Sequence, residues 1–261
     1  MRRPKRGCAL FSDARRSLPG YDWTNRLTDD IESSRQTGRK DDVITHAMED
    51  YLKAIYNLQT EHEKVTTQAI AERLNIQSPS VTNMVKRLAD LKLLEHTPYR
   101  GVALTPGGMR SALEVIRHHR LLELYLSDAL GYSWDEVHEE AERLEHSISE
   151  DFEARIDRAL GYPTIDPHGD PIPSFDGDIQ PQTHLLLADL EAGEDAIVER
   201  VHDRDPEMLR YLGGLGLYPN ASVHVSVRYP FGGPLRVIVL ETEHIIGREL
   251  AEAVFVRRVS S

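Results

Sequence analysis

From Ala47 onward apolar residues fall at helical intervals. Tyr51, Leu52, Ile55, Tyr56 and Leu58 line one stripe of a first helix. Thr66 or Thr67 is placed to cap a short second helix, whose Ile70 and Leu74 face inward. After the turn Asn75-Ile76-Gln77, Ser78-Pro79 opens a third helix that buries Val81, Val85, Leu88 and Leu91. Two extended runs around Tyr99-Arg100-Gly101 predict a β-hairpin. Two longer helices follow, one from about Gly108 to Leu130, the other from Trp134 to about Leu160 with Ser133 as its cap. Residues 163–182 are rich in proline and glycine and break all periodicity, as a linker or an ordered irregular loop does. From Thr183 short alternating runs (AIVERV, SVHVSVRY, LRVIVLE, AVFVRRV) predict a small antiparallel barrel. The expected class is mainly α with a small β part, divided into 1–42, 43–107, 108–162, 163–182 and 183–261.

Composition narrows the reading. With 40% hydrophobic and 28% charged residues the chain reads as soluble and globular. No apolar run reaches the length of a membrane span and the start lacks a signal peptide's apolar stretch, so a cytoplasmic location is expected, with no membrane partner. The single cysteine, Cys8, excludes disulfides within the chain and cysteine-based zinc sites. A net charge of −12 argues against a general nucleic-acid coat. Residues 1–40 are the exception, with ten Lys/Arg against five Asp/Glu. Residues 1–42 read as a disordered basic tail, a DNA-touching arm being the alternative.

Helix, short helix, tight turn, capped helix and β-hairpin within about sixty residues describe a winged helix-turn-helix. Its third helix carries Gln77, Ser78, Ser80, Thr82 and Asn83 at the end that enters a major groove. Asn reads adenine bidentately and Ser or Thr bonds bases or phosphates. Pro79 fixes the helix start and offers an edge to a thymine methyl, while Lys86, Arg87, Lys92 and Arg100 supply charge for the backbone. A protein-binding winged helix, with these residues merely capping, is the bland alternative.

The last long helix contains His138, Glu142, Glu145 and His146 at offsets 0, +4, +7 and +8, on one face. The helix before it carries His118, His119 and Glu123, the last two at i,i+4. Any one of these residues alone reads as solvated helix surface. Two imidazoles and two carboxylates on one stripe, beside another His/Glu pair, suit a first-row divalent metal.

With these motifs in view (MEDYLKAIY, SPSVTNMVKRL, RHHRLLELYL, VHEEAERLEH, PHGDPIP), the chain resembles the diphtheria toxin repressor family of iron- and manganese-dependent regulators over about residues 45–261. The resemblance implies a helical dimerisation and metal-binding domain at 108–162 and an SH3-like (FeoA-like) barrel at 183–261. It also implies a primary metal site of Asp50, Glu142, Glu145 and His146, and an ancillary site of His119, Glu123 and His138. Glu199 and His202 fall where the barrel of family members supplies further ancillary ligands. Iron sensors of the family have a thioether at the position of Asp50 and a thiol at that of Glu142, so Mn²⁺ is the expected cofactor, with Fe²⁺ the alternative. The family's short manganese regulators carry a further Glu where this chain has Lys53, and they usually lack the barrel. The implied function is a homodimeric repressor of metal-uptake genes on palindromic double-stranded operator DNA, not an enzyme and without a small organic substrate. Metal would tie Asp50 of the reader to the dimer frame, and without it the converging carboxylates would repel and loosen that joint. A helical metalloenzyme is the alternative from another class, weakened by the lack of a nucleophile motif or HExxH.

Overall fold

The computed structural model describes residues 44–97, 101–182, 184–203 and 205–259. The basic tail and Cys8 lie outside the described residues, as do Tyr99 and Arg100 of the hairpin tip.

Helices α1 (His46–Glu61), α2 (Thr67–Arg73) and α3 (Ser78–Asp90) and strands β1 (Leu94–Thr97) and β2 (Gly101–Leu104) follow in the predicted order. Their core joins Met48, Leu52 and Ile55 of α1 to Ile70, Val81, Val85 and Leu88, with Val102 closing it from the hairpin. Thr66 caps α2, its hydroxyl accepting from the Ala69 N–H. Gln77 rather than Ser78 stands at the start of α3, without a side-chain bond. Strands β1 and β2 pair antiparallel, Leu94 opposite Leu104.

Helix α4 (Pro106–Leu130) is the long central element, capped by Thr105 and closed by Gly131 in the left-handed region at φ 76°. The single helix expected from Trp134 to Leu160 is instead two: α5 (Val137–Leu144) and α6 (Glu150–Ala159). The break falls at Ser147-Ile148-Ser149, where Ser149 accepts from the Phe152 N–H and Glu150 and Asp151 open the next first turn. Ser133 bonds Glu136 rather than starting a helix directly. Leu121, Leu122, Leu126, Val137, Ala141 and Ile156 form the second core, joined by Ile172 from the proline-rich segment.

That segment is therefore not a loose spacer. Asp166, His168, Asp170, Pro171, Ile172 and Pro173 are buried. Arg120 donates to the Pro171 carbonyl at 2.5 Å and the Val201 N–H to the His168 carbonyl at 2.9 Å. Gly169 has φ +92°, and a Cβ there would lie 2.0 Å from the Glu199 carbonyl oxygen, so only glycine permits this approach.

The C-terminal part is a five-stranded antiparallel sheet in the order β6-β5-β4-β3-β7, comprising β3 (Asp195–Val201), β4 (Ser222–Arg228), β5 (Leu235–Val239), β6 (Thr242–Ile246) and β7 (Val254–Arg258). Strand β6 was not among the runs that alternation marked. Helix α7 (Pro206–Gly214) sends Leu209 and Leu212 into its core, and α8 (Arg248–Glu252) contributes Ala251. Among the described residues no helix is long and apolar enough to cross a membrane.

Candidate metal centres and DNA-reading surface

On α3 the apolar stripe turns inward and leaves Gln77, Ser78, Pro79, Ser80, Thr82, Asn83, Lys86 and Arg87 all exposed. Thr82 turns its hydroxyl back to the Ser78 carbonyl at 3.1 Å. These residues form one polar, locally basic face, the shape and chemistry that groove reading needs.

Ligands gather at two places, one drawing on α1 and the residues just after α5, the other on α4, α5 and the loop after β3. In the first, ligand atoms of Asp50, Glu145 and His146 lie within 4.8 Å of one another. The imidazole of His146 is held from both sides, Nε2 at 2.7 Å from Asp50 and Nδ1 at 2.6 Å from Glu49, and it stacks on His46. A carboxylate on one ring nitrogen sets the tautomer and leaves the other nitrogen to a metal. The sequence reading missed Glu49 in this role, although it immediately precedes Asp50. Burial outweighs the neighbouring His146 and raises the Asp50 pKa above the usual carboxylate value.

Glu142 stands apart from that trio. It shares a second ligand group with His119 and Glu145, and the centre of this group is filled by Lys53. The Lys53 Nζ lies 2.6 Å from Glu142, 2.7 Å from Glu145 and 3.1 Å from His119 Nδ1. The carboxylates at the joint are thus compensated by an amine of the chain itself, contrary to the expected repulsion. Burial opposes the charge on Lys53, yet Glu145 and Glu142 raise its pKa above the usual value. Burial would also raise Glu145, but the hydrogen bond from His119 and the charge of Lys53 take it below the usual range.

The ancillary cluster gathers His119, Glu123, His138 and Asp203. Glu123, fully buried, lies 2.9 Å from His119 Nε2 and 3.1 Å from His138 Nδ1, and Asp203 approaches His138 at 3.5 Å. Asp203 is the barrel residue whose carboxylate joins these ligands. Glu199 sits at the bulge in strand β3, and its carboxylate pairs with Arg257 at 2.9 Å. His202 packs edge-on against Phe255. His168 is a further missed neighbour. Its Nε2 is 2.7 Å from the Trp134 carbonyl and its Nδ1 is 3.7 Å from Glu123. His118 belongs to neither cluster, since its ring is taken by the Glu145 carbonyl and Glu153.

His119 joins the two clusters, with Nε2 on Glu123 and Nδ1 on Glu145 at 2.5 Å. Burial would lower its pKa, but the Glu123 charge dominates and raises it to about 9. A ring proton must therefore leave before His119 ligates a metal, and metal uptake at pH 7 is expected to release it. Calorimetric titration in buffers of different ionisation enthalpy measures that release. For the metal-free chain the sign is opposite. The stabilisation from charged His119 is complete below its unfolded value near 6.5 and is lost as pH rises through about 9. Over this window the melting temperature in chelator should fall while metal affinity rises.

Comparison with known proteins gives the geometry its context. Residues 43–102 match the model for the iron dependent repressor N-terminal DNA binding domain, and residues 105–174 match that family's metal binding and dimerisation domain. Residues 185–258 match the FeoA domain. The iron-dependent repressor IdeR of Mycobacterium leprae is 35% identical over 229 residues, covering 83% of this chain and 99% of that protein. This chain belongs to the iron-dependent repressor family. It is a metal-dependent, DNA-binding transcriptional repressor that forms a homodimer, and the metalloenzyme alternative falls with that membership. The family also includes the diphtheria toxin repressor of Corynebacterium diphtheriae, 38% identical over 137 residues, which span 52% of this chain and 60% of that one. Among solved structures, a manganese-dependent transcriptional repressor in complex with manganese superposes with a TM-score of 0.77 at 38% identity, over 81% of this chain and all of that one.

Proposed function

We propose that the chain is a manganese-responsive repressor of metal-uptake genes, reading a palindromic operator through α3. The observation that carries the metal is the donor set. Asp50, Glu145 and His146 in one cluster, and His119, Glu123, His138 and Asp203 in the other, offer oxygen and imidazole nitrogen without sulfur. Carboxylate-rich sets suit Mn²⁺, whereas thiolate and thioether ligands favour softer ions. The likeness to a manganese-bound repressor structure supports the same reading.

The residues fit the ion at a mechanically useful place. Asp50 belongs to α1, packed in the core of the reader, while Glu145 and His146 follow α5. A bound divalent ion supplies the positive charge that holds these ligands together. Asp50 and His146 then fix α1 against α4 and α5, and Asp203 brings the loop after β3 to the same frame. In a dimer this selects the spacing at which two α3 helices meet successive major grooves. Operator and metal then strengthen each other's binding by one common factor.

The decisive measurement is operator binding by fluorescence anisotropy with metal-stripped protein, titrated with Mn²⁺ and, without oxygen, with Fe²⁺. Half-saturation at lower free Mn²⁺ is the expected result. An equal or better response to Fe²⁺ makes the protein an iron-dependent repressor, as the mycobacterial relative is named. Asp203→Ala is expected to weaken the second bound ion by about 10–100-fold, with Glu199→Ala leaving it unchanged. Isothermal titration with Mn²⁺ separates the two variants.

A further inference from the structure

We propose that the Lys53 ammonium is a tethered cation filling the second position of what would otherwise be a two-ion centre, so that the joint between α1 and α5 holds one divalent ion and one amine. The inference rests on the metal reading above for Asp50, Glu145 and His146.

Glu145 belongs to two ligand groups at once, with Asp50 and His146 on one side and with His119 and Glu142 on the other. A carboxylate with an oxygen toward each group is what a pair of ions roughly 3.5–4 Å apart uses as a bridge. The second group surrounds Lys53, whose Nζ meets Glu142 Oε1 at 2.6 Å and the two Glu145 oxygens at 3.0 and 2.7 Å. The same Nζ lies 3.1 Å from His119 Nδ1, so the amine rests where those three side chains would converge on an ion. The Lys53 side chain is only 13% exposed and that of Glu145 is fully buried, so this is not a solvated surface pair. Unlike an ion, the amine does not exchange with solution, and its charge is present at every metal concentration. Lys53 thus acts as a specificity residue for ion number. It joins α1 to Glu142 and Glu145 without metal and leaves the switch to one ion at the joint.

The test counts ions on the full-length chain loaded with Mn²⁺, by equilibrium dialysis and elemental analysis, with electron paramagnetic resonance on the same samples. Wild type is expected to hold two ions per chain, one at the joint and one at the ancillary cluster, without an exchange-coupled signal. Lys53→Met opens the His119–Glu142–Glu145 group, and Lys53→Glu adds a fourth ligand. Each should gain one ion and show the spectrum of a coupled manganese pair, and Lys53→Arg should keep the wild-type count. Folded Lys53→Met and Lys53→Glu proteins with no gained ion and no coupled signal would overturn the proposal, as would a coupled pair in wild type. Fewer than two ions in wild type defeats the metal reading instead. The gain or lack of gain in the variants still decides the role of Lys53.

Discussion

Glu145→Gln is expected to abolish metal-induced operator binding and to destabilise the metal-free protein by roughly 3–5 kcal/mol, the range for a buried charge that loses its partner. The Glu145 side chain is fully buried and touches Lys53, His119 and His146 at once. An amide keeps the shape but removes the buried one of the two carboxylates that balance the Lys53 ammonium, leaving the more exposed Glu142, and it offers a metal a far poorer ligand. Thermal unfolding in chelator reads the stability loss, and anisotropy with saturating Mn²⁺ reads the functional one. Full operator binding by this variant would remove Glu145 from the metal centre, and an unchanged melting temperature would remove the buried-ion argument.

The second large effect is expected away from the ligands. Arg117 is buried and forks between Glu153 at 2.5 Å, Asp157 at 2.9 Å and the Pro173 carbonyl at 2.7 Å. It therefore fastens both α6 and the end of the proline-rich segment to α4. Arg117→Ala leaves buried Glu153 with His118 alone and removes the guanidinium from Asp157 and the Pro173 carbonyl, and a loss of roughly 3 kcal/mol is expected. Arg117→Lys should recover little of it, because a single ammonium cannot span three acceptors arranged for a planar fork. Urea unfolding measures the loss. Below the unfolding transition the variant should retain the wild-type count of bound metal, which separates it from Glu145→Gln.

These two residues were unequally visible in the sequence. Glu145 stood out because His138, Glu142, Glu145 and His146 share a period, and a period is what a single chain displays. Arg117 showed nothing, because its partners lie 36, 40 and 56 positions away. The winged helix was legible almost to the residue, since its core stripe and its polar reading face alternate on the same turns. The break between α5 and α6 was not, because residues on either side favour helix and only the cap at Ser149 marks the interruption. Asp203 was missed for a geometric reason. The family resemblance nominated Glu199 and His202, but a bulge between Val198 and Arg200 and the turn after β3 decide which side chain faces α4 and α5. Lys53 was read as a missing carboxylate, whereas packing turns it into the amine at the centre of three ligands.

Helix α4 spends four consecutive residues on four different attachments. Arg117 holds α6, His118 the carbonyl after α5, His119 both ligand clusters and Arg120 the proline-rich segment. Successive helical residues are turned by about 100°, so these four cover the whole circumference of the helix. Inserting or deleting one residue before Arg117 within α4 would rotate every attachment off its target together, and would turn the reader by the same angle relative to the rest of the chain. Length variation between relatives should therefore collect in loops and at the barrel hairpins, and α4 should act as a fixed ruler between the operator and the metal.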